Sequence, residues 1–375
     1  MRDGTPGNST LLERDLTVDD DRPLRLVTTR LLTTLHGIRS ATTSSALRRA
    51  VEELRLAVRD PESAVHAGPR GEATEFAAGY FEDGLDQIAG SQTLERGHYY
   101  VDRLIRSVTE VRTSAINDIN LNRWKEYADI QLDSLWMIGN RDGSGVHTAQ
   151  YWGNFIPQIP HQMMRRYTKR GEWVLDVFTG MGTTLIEGQR LGRNTIGIEL
   201  QKNVARRART LVSGEESPHG VAAKIVTGDC TTHNLRPAMR RAGAKSFQLV
   251  VMHPPYFDII KFSDDERDLS NAPSVADFLE RMGDAVENVA PLLDAGRYLV
   301  LVIGDKYANG EWLPLGFMTM NEVLKRSFAL KSIIVKNFEE TAGKRGQKEL
   351  WKYRALAGGF YLFKHEYIFV FKKSR

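Results

Sequence analysis

Asp176-Val-Phe-Thr-Gly-Met-Gly-Thr-Thr184 is the stretch whose reading decides the fold. Trp173–Val177 is a short apolar run that reads as a buried strand, and a helix is expected from about Thr183 to Gly192. An acidic residue ending a strand, followed closely by glycines, gives a turn whose backbone approaches a ligand without a Cβ in the way. Two familiar glycine turns do not fit. A dinucleotide turn needs Gly or Ala where Leu185 stands, and a P-loop needs a Gly-Lys-Ser/Thr that this stretch lacks.

Strand patterns continue downstream at Thr195–Leu200, Ala223–Thr227, Gln248–Met252, Tyr298–Ile303, Lys331–Asn337 and Tyr361–Lys372. Helices are expected between them at Asn203–Val212, Val275–Leu292 and Phe317–Ser327. This alternation predicts an α/β fold, a parallel-type sheet with helices on both faces and ligands at the carboxyl ends of its strands. Asn140-Arg-Asp-Gly-Ser-Gly145 collects turn formers and is the expected boundary of this region, residues 146–375. Residues 23–145 read as a helical N-terminal region, with Leu24, Leu26, Leu31 and Leu35, then Leu47, Val51 and Leu54, at helical spacing. Further helices are expected at Glu75–Ile88, Tyr99–Ile119 and Trp124–Ile138, and no internal repeat shows. Residues 1–22, polar and with Asp19-Asp20-Asp21, read as a disordered tail.

The composition of the 375 residues narrows the class. No apolar run reaches the roughly 18–20 residues of a membrane span, and the N-terminus lacks a secretory signal pattern, so a cytoplasmic protein is expected. One cysteine, Cys230, excludes an internal disulfide and a multi-cysteine metal cluster. The histidines are scattered along the chain and predict no metal site. A net charge of +4 permits a polyanionic partner without demanding one.

Asp-x-Phe-x-Gly-x-Gly-Thr-Thr resembles the cofactor motif of the DNA amino-methyltransferases, which act on adenine N6 or cytosine N4. The resemblance implies a Rossmann-like S-adenosylmethionine-dependent methyltransferase sheet over about residues 147–372. It places Asp176, Phe178, Gly180 and Gly182 at the methionine end of S-adenosylmethionine, with Thr183 and Thr184 opening the helix. Val177 stands where the family usually has Pro, and Met181 where Ser is common. Glu199 ends the next strand, where a carboxylate can accept both ribose hydroxyls of a nucleoside, and Asp229 ends the third, in reach of an adenine amino group. Upstream, Phe155-Ile-Pro-Gln-Ile-Pro160 is similar to a family segment that packs over the methionine moiety, which implicates Phe155 and Pro157.

His253-Pro-Pro-Tyr256 follows the strand Gln248–Met252 and resembles the catalytic Asp/Asn/Ser-Pro-Pro-Tyr/Phe of the same family. An exocyclic amino nitrogen is a poor nucleophile, because its lone pair is delocalised into the ring. Its site needs acceptors aimed at the amino hydrogens and an aromatic surface for a base drawn out of the stack. Pro254 and Pro255 fix a rigid backbone whose carbonyls can accept, Tyr256 can stack, and Phe257 is a second aromatic candidate. His253 departs from the family's first position. A neutral imidazole still accepts one hydrogen bond and a protonated one does not, so activity is expected to fall as pH drops through the histidine pKa, about 6.5 unperturbed.

Fewer than about 80 residues separate the two motifs, which leaves no room for an inserted recognition domain. DNA contacts are expected instead from the N-terminal helices, the loop Asp258–Ser274 and the basic, aromatic Gly343–Arg354, with Lys344, Arg345, Lys348 and Trp351 as contacts. The resemblance implies duplex DNA with a flipped base as substrate and a setting in restriction-modification or defence. Residues 23–145 would make recognition, homodimer or defence-partner contacts. Two other readings compete, an RNA or tRNA base methyltransferase and a binding protein that has lost catalysis.

Overall fold

The computed structural model describes residues 23–338 and 348–374, so the expected tail at 1–22 lies outside the described residues. The chain divides into two units: residues up to Thr113 with Asn120–Ala128, and Ser114–Ile119 with Asp129 onward. Asn140–Gly145 is therefore a turn inside the second unit, where the Arg141 guanidinium donates to the carbonyls of Thr148, Asn154 and Phe155.

The first unit runs β1 (Pro23–Leu26), α1 (Thr28–Arg39), α2 (Ser44–Arg59), β2 (Thr74–Ala77), α3 (Ala78–Ala89) and α4 (Leu94–Thr109). It is a duplication, against the expectation that no repeat is present. Each helix of the second half begins and ends fifty positions after its counterpart, and β1 pairs antiparallel with β2. Thr43 and Thr93 cap α2 and α4, each accepting the amide three residues on at 3.1 Å. Arg48 donates to the Ser91 carbonyl and His98 to that of Ala41, the same bond made twice across a pseudo-twofold axis. The shared core is Leu35 and Leu85, Ile38 and Ile88, Val51 and Val101, Leu54 and Leu104, all buried. Only the core and caps repeat, and the diverged surface hides the period.

Three sequence expectations in this part need correction. Pro23–Leu26 is a strand, not a helix start: Leu24 and Leu26 are buried while Arg25 turns outward, a period of two. The helix expected over Tyr99–Ile119 starts at Leu94 and stops at Thr109, with Ser114 and Asn117 then turning the chain by side-chain bonds to its own amides. Trp124–Ile138 holds a 3-10 turn (Leu121–Glu126) and a two-residue strand. There the Gln162 side chain takes the Gln131 amide and the Asp129 carbonyl, so tertiary bonds replace the helical ladder.

The second unit continues with β3 (Leu135–Trp136), α5 (Gln158–Tyr167), β4 (Trp173–Asp176), α6 (Thr183–Leu191), β5 (Asn194–Glu199), α7 (Lys202–Gly214) and β6 (Ala223–Thr227). It closes with α8 (Arg236–Ala242), β7 (Phe247–Met252), α9 (Val275–Val289), β8 (Leu293–Ile303), β9 (Lys306–Ala308), β10 (Glu311–Leu313), α10 (Leu315–Leu324), β11 (Phe328–Asn337), α11 (Lys348–Gly358) and β12 (His365–Lys373). Eight strands form one sheet in the order β3-β11-β12-β8-β7-β4-β5-β6. The expected parallel sheet is mixed, because β12 runs antiparallel between β8 and β11. Side chains alternate between faces. Leu249, Val251, Val300, Val302, Ile368 and Val370 pack with Met163 and Met164 of α5, while Val250, Met252, Leu299, Leu301, Phe369 and Phe371 pack with Phe278, Met282 and Leu315 of α9 and α10. Helices thus cover both faces. The chain winds from β4 through β5 to β6 on one side and from β7 to β8 on the other, so a crevice opens where β4 and β7 meet.

Leu35→Ala and Leu85→Ala occupy equivalent, fully buried positions and should each cost about 2–5 kcal/mol, read as a shift of the first unit's urea transition. If only one of the two destabilises, the halves are not energetically equivalent.

Candidate active site

The crevice between β4 and β7 holds a cavity of about 940 Å³. Phe178, Gly180, Glu199, Asp229 and Cys230 line it on the β4–β6 side, and His253, Pro254, Pro255 and Tyr256 on the β7 side. Both motifs picked from the sequence therefore open into one space. Tyr151, Trp152, Phe155 and Phe262 add an aromatic wall, and Gly304, Asp305, Lys336 and Glu366 add the far end.

The glycine turn is built as its composition requires. Gly180 and Gly182 have φ of 50° and 86°, and a Cβ on Gly182 would stand 2.8 Å from Val212. Glu199 reaches back across the turn: one carboxylate oxygen accepts from the Gly180 amide at 2.9 Å, the other from Gln201 at 2.9 Å. Each oxygen keeps a lone pair for a further donor. Burial pushes the Glu199 carboxyl up to about 7 despite those two bonds, and Asp176 and Asp268 nearby add to the rise. Asp176 is buried with one oxygen on the Phe178 amide at 3.0 Å, and burial lifts it to about 6.

Not every expected cofactor residue faces the cavity. Asp176, Gly182, Thr183, Thr184 and Pro157 lie behind its wall and shape it: Thr183 bonds Asn154 at 2.8 Å, and Pro157 precedes α5. Phe155 does face it, stacked on the His253 ring with centroids 4.8 Å apart. Asp229 faces it too, with one oxygen taken by the Thr231 amide and hydroxyl.

The second motif rests on a charge network that the sequence reading missed. The Tyr256 hydroxyl donates to Glu366 at 2.8 Å, and Lys336 holds the other oxygen of Glu366 at 2.9 Å. Lys336 and Glu366 are directly paired across β11 and β12 on an otherwise apolar face, beside Ile334 and Ile368. Burial alone would raise the Glu366 carboxyl; the Lys336 ammonium, with His253 and Tyr256, outweighs it and holds it below its ordinary value. His253 Nε2 lies 3.2 Å from the same Tyr256 hydroxyl. Burial pushes the His253 imidazole down to about 4, which moves the expected histidine titration out of the neutral range. Gly304 packs beneath Tyr256, where a Cβ would stand 2.9 Å from the ring. A charged pair interrupting two apolar strands was the signal available for Lys336 and Glu366.

Phe257 needs correction as a base contact. Its φ of 53° swings the ring away from Tyr256 into the core, 5.9 Å from Phe278. Lys344 and Arg345 lie outside the described residues. Lys348 and Trp351 fall on α11, where the Arg354 guanidinium covers the Trp351 ring at 5.1 Å, and Trp351 does not line the crevice. Cys230 lines the crevice but burial drives its thiol pKa up, which disfavours the thiolate a nucleophile needs.

The histidines are less scattered than the sequence suggests. His147 and His161 each bond one oxygen of buried Glu187 at 2.8 Å, and Asp142 stands close by. Arg190 lies 3.2 Å from Glu187 and 3.5 Å from Asp142, so a guanidinium already supplies the positive charge there. Among the described residues no helix is long and apolar enough to cross a membrane.

Residues 93–210 and 247–375, more than half of the chain, match the DNA methylase family of N6 and N4 methyltransferases, and the chain belongs to that family. It is 39% identical over 84 residues to the type II methyltransferase M.MjaII of Methanocaldococcus jannaschii, covering 20% of this chain and 16% of that protein. It is 33% identical over 102 residues to the type II methyltransferase M2.DpnII of Streptococcus pneumoniae, covering 26% and 36%. The chain thus spans about a sixth to about a third of these curated relatives. Among solved structures, TrmN from Thermus thermophilus aligns with a TM-score of 0.37 and 17% identity, over 58% of this chain and 49% of that one.

S-adenosylmethionine is the cofactor of this family, and the crevice fits it. Glu199 keeps free lone pairs that could accept from hydroxyls such as those of a ribose, and the Gly180 backbone leaves room that a side chain would fill. The ionised form of Glu199, the one able to accept hydroxyl protons at both oxygens, predominates above about pH 7. S-adenosylmethionine affinity, measured by calorimetry, should therefore weaken by about tenfold per pH unit below 7. Glu199→Gln should bind more weakly and with no such slope; a slope that survives the substitution assigns the titration elsewhere.

Proposed function

We propose that the chain transfers a methyl group from S-adenosylmethionine to an exocyclic amino nitrogen, cytosine N4 or adenine N6, of a base flipped out of duplex DNA. The observation that carries this reading is the pair of contacts at the Tyr256 hydroxyl, to Glu366 and to His253. Tyrosine has one proton to donate, and the ionised Glu366 can only accept it. The same oxygen must then accept from His253, which fixes the neutral imidazole with its proton on Nε2. Nδ1 is left as a bare acceptor, and no described residue bonds it.

This tautomer lets histidine do the work of the family's Asp, Asn or Ser. Nδ1 accepts one amino hydrogen of the base and the carbonyls of the Pro254–Pro255 segment accept the other, while the Tyr256 ring bears on the base face. Rehybridised by those bonds, the amino nitrogen attacks the methyl carbon. The N–C bond forms as the C–S bond breaks, its electron pair stays on sulfur, and one amino proton is released. S-adenosylmethionine supplies the electrophilic methyl; Phe155 stacked on His253 keeps the acceptor in place.

The names of the relatives support a modifying role within a restriction-modification system, and a cytoplasmic location is proposed with it. The cofactor set is read as Phe155, Phe178, Gly180, Glu199 and Asp229 facing the cofactor, with Pro157, Asp176, Gly182, Thr183 and Thr184 shaping the turn. Lys344, Arg345, Lys348 and Trp351 remain proposed DNA contacts, and residues 23–145 a recognition or partner region.

A labelled-methyl assay offering DNA and RNA separately should label DNA. Label in RNA alone would move the substrate, and cofactor binding without transfer to either would make the chain a binding protein. Tyr256→Phe keeps the ring but frees His253 and should lower kcat by about 10²-fold; an unchanged kcat removes the hydroxyl network from catalysis. With saturating substrates, kcat should stay level from about pH 5.5 to 8 and fall only towards the His253 pKa of about 4. A drop centred near the ordinary histidine value would contradict a neutral, buried imidazole.

A further inference from the structure

The duplication in the first unit supplies its own control for which surface residues the fold requires. On α4, Arg96, Tyr99, Arg103 and Arg106 recur at helical spacing and form one stripe. Fifty positions earlier, α2 carries Ala46, Arg49, Glu53 and Leu56 at the equivalent places. The same helix in the same packing does without the cations, so folding does not explain them.

The two helices also use their arginines differently. On α2, Arg55 pairs with Glu52, Glu82 and Asp86, Arg59 pairs with Glu82, and Arg48 donates to two carbonyls. On α4, Arg96, Arg103 and Arg106 form no ion pair with a described carboxylate. Arg96 instead lies over the Tyr99 ring at 4.8 Å, and Arg103 bonds the Gln87 amide oxygen.

The α4 stripe borders a groove of about 370 Å³ between α4 and the 3-10 turn Leu121–Glu126. Arg103, Arg106, Arg112 and Lys125 line it, with Tyr99 and Trp124, 47% and 63% exposed, along its edge. Glu110 is the carboxylate in its lining, and Asp83 faces Lys125 from outside at 3.6 Å. An exposed indole among mostly unpaired guanidiniums suits a polyanion that also presents flat or sugar surfaces.

We propose that this groove binds the sugar-phosphate backbone of the DNA substrate, through Arg103, Arg106, Arg112 and Lys125 with Trp124 and Tyr99. The proposal rests on the reading of the crevice as a DNA methyltransferase site. It gives the first unit a defined task, a phosphate contact that sets where the duplex is held and carries no base readout itself.

The test compares two charge reversals of equal size in the full chain, Arg106→Glu in the stripe and Arg49→Glu on the equivalent face of α2. Binding of a labelled duplex is followed by fluorescence anisotropy over a range of salt, with S-adenosylmethionine affinity as the check on folding. Arg106→Glu should weaken binding by about tenfold or more and lower the salt slope by about 0.9, while Arg49→Glu leaves both near the parent values. Adding Arg103→Glu should lower the slope further. Equal shifts in the two single variants, or no shift in either, overturn the groove as a DNA site while leaving the crevice reading intact. A change in self-association alone, with DNA binding kept, assigns the groove to a second copy of the chain and overturns the proposal. A parent chain that binds S-adenosylmethionine but no duplex overturns the DNA reading of the crevice as well.

Discussion

Strands β4 and β7 lie side by side, and the chain leaves them in opposite directions; every functional feature of the second unit depends on that divergence. It prevents the connections after the two strands from packing on one another, and so leaves a crevice at their carboxyl ends. The glycine turn hangs from one strand and His253-Pro-Pro-Tyr256 from the other. Residues 77 positions apart are thereby brought to opposite walls of one cavity without either motif specifying the other.

The site keeps several charges out of water, and it does so by two different means. On the turn side, Glu199 is held by two backbone amides and Asp176 by the Thr184 hydroxyl and the Phe178 amide; these neutral donors offset only part of the burial, so both carboxyls sit above their ordinary values. On the motif side, Glu366 has a full cation in Lys336 and stays below it. The contrast suits the proposed tasks. Glu199, proposed to take a ligand's hydroxyls, keeps unused acceptor capacity, whereas Glu366, proposed to orient a tyrosine and through it a histidine, is held in its charged form by Lys336.

How much of this was legible in the sequence followed from how local each feature is. The turn at Asp176–Thr184, the strand ends at Glu199 and Asp229, and the Pro-Pro-Tyr segment are set by neighbours in sequence, and they fell where the pattern put them. Phe257 did not, because one residue at positive φ sends its ring to Phe278. Lys336 and Glu366 stayed hidden because their partnership exists only across the β11–β12 pairing. The region Trp124–Ile138 looked helical until Gln162 claimed its backbone groups. The duplication was masked because only caps and buried positions repeat, leaving surface residues such as Glu53 and Arg103 free to diverge.

The central claim is that a crevice with a neutral His253 acceptor and a Pro-Pro-Tyr wall methylates an amino group, not a ring carbon. Mass spectrometry of nucleosides from duplex DNA treated with the protein and S-adenosylmethionine tests it most directly. N4-methylcytosine or N6-methyladenine is the predicted product. 5-methylcytosine, or no modified nucleoside from a protein that binds both cofactor and DNA, would contradict it.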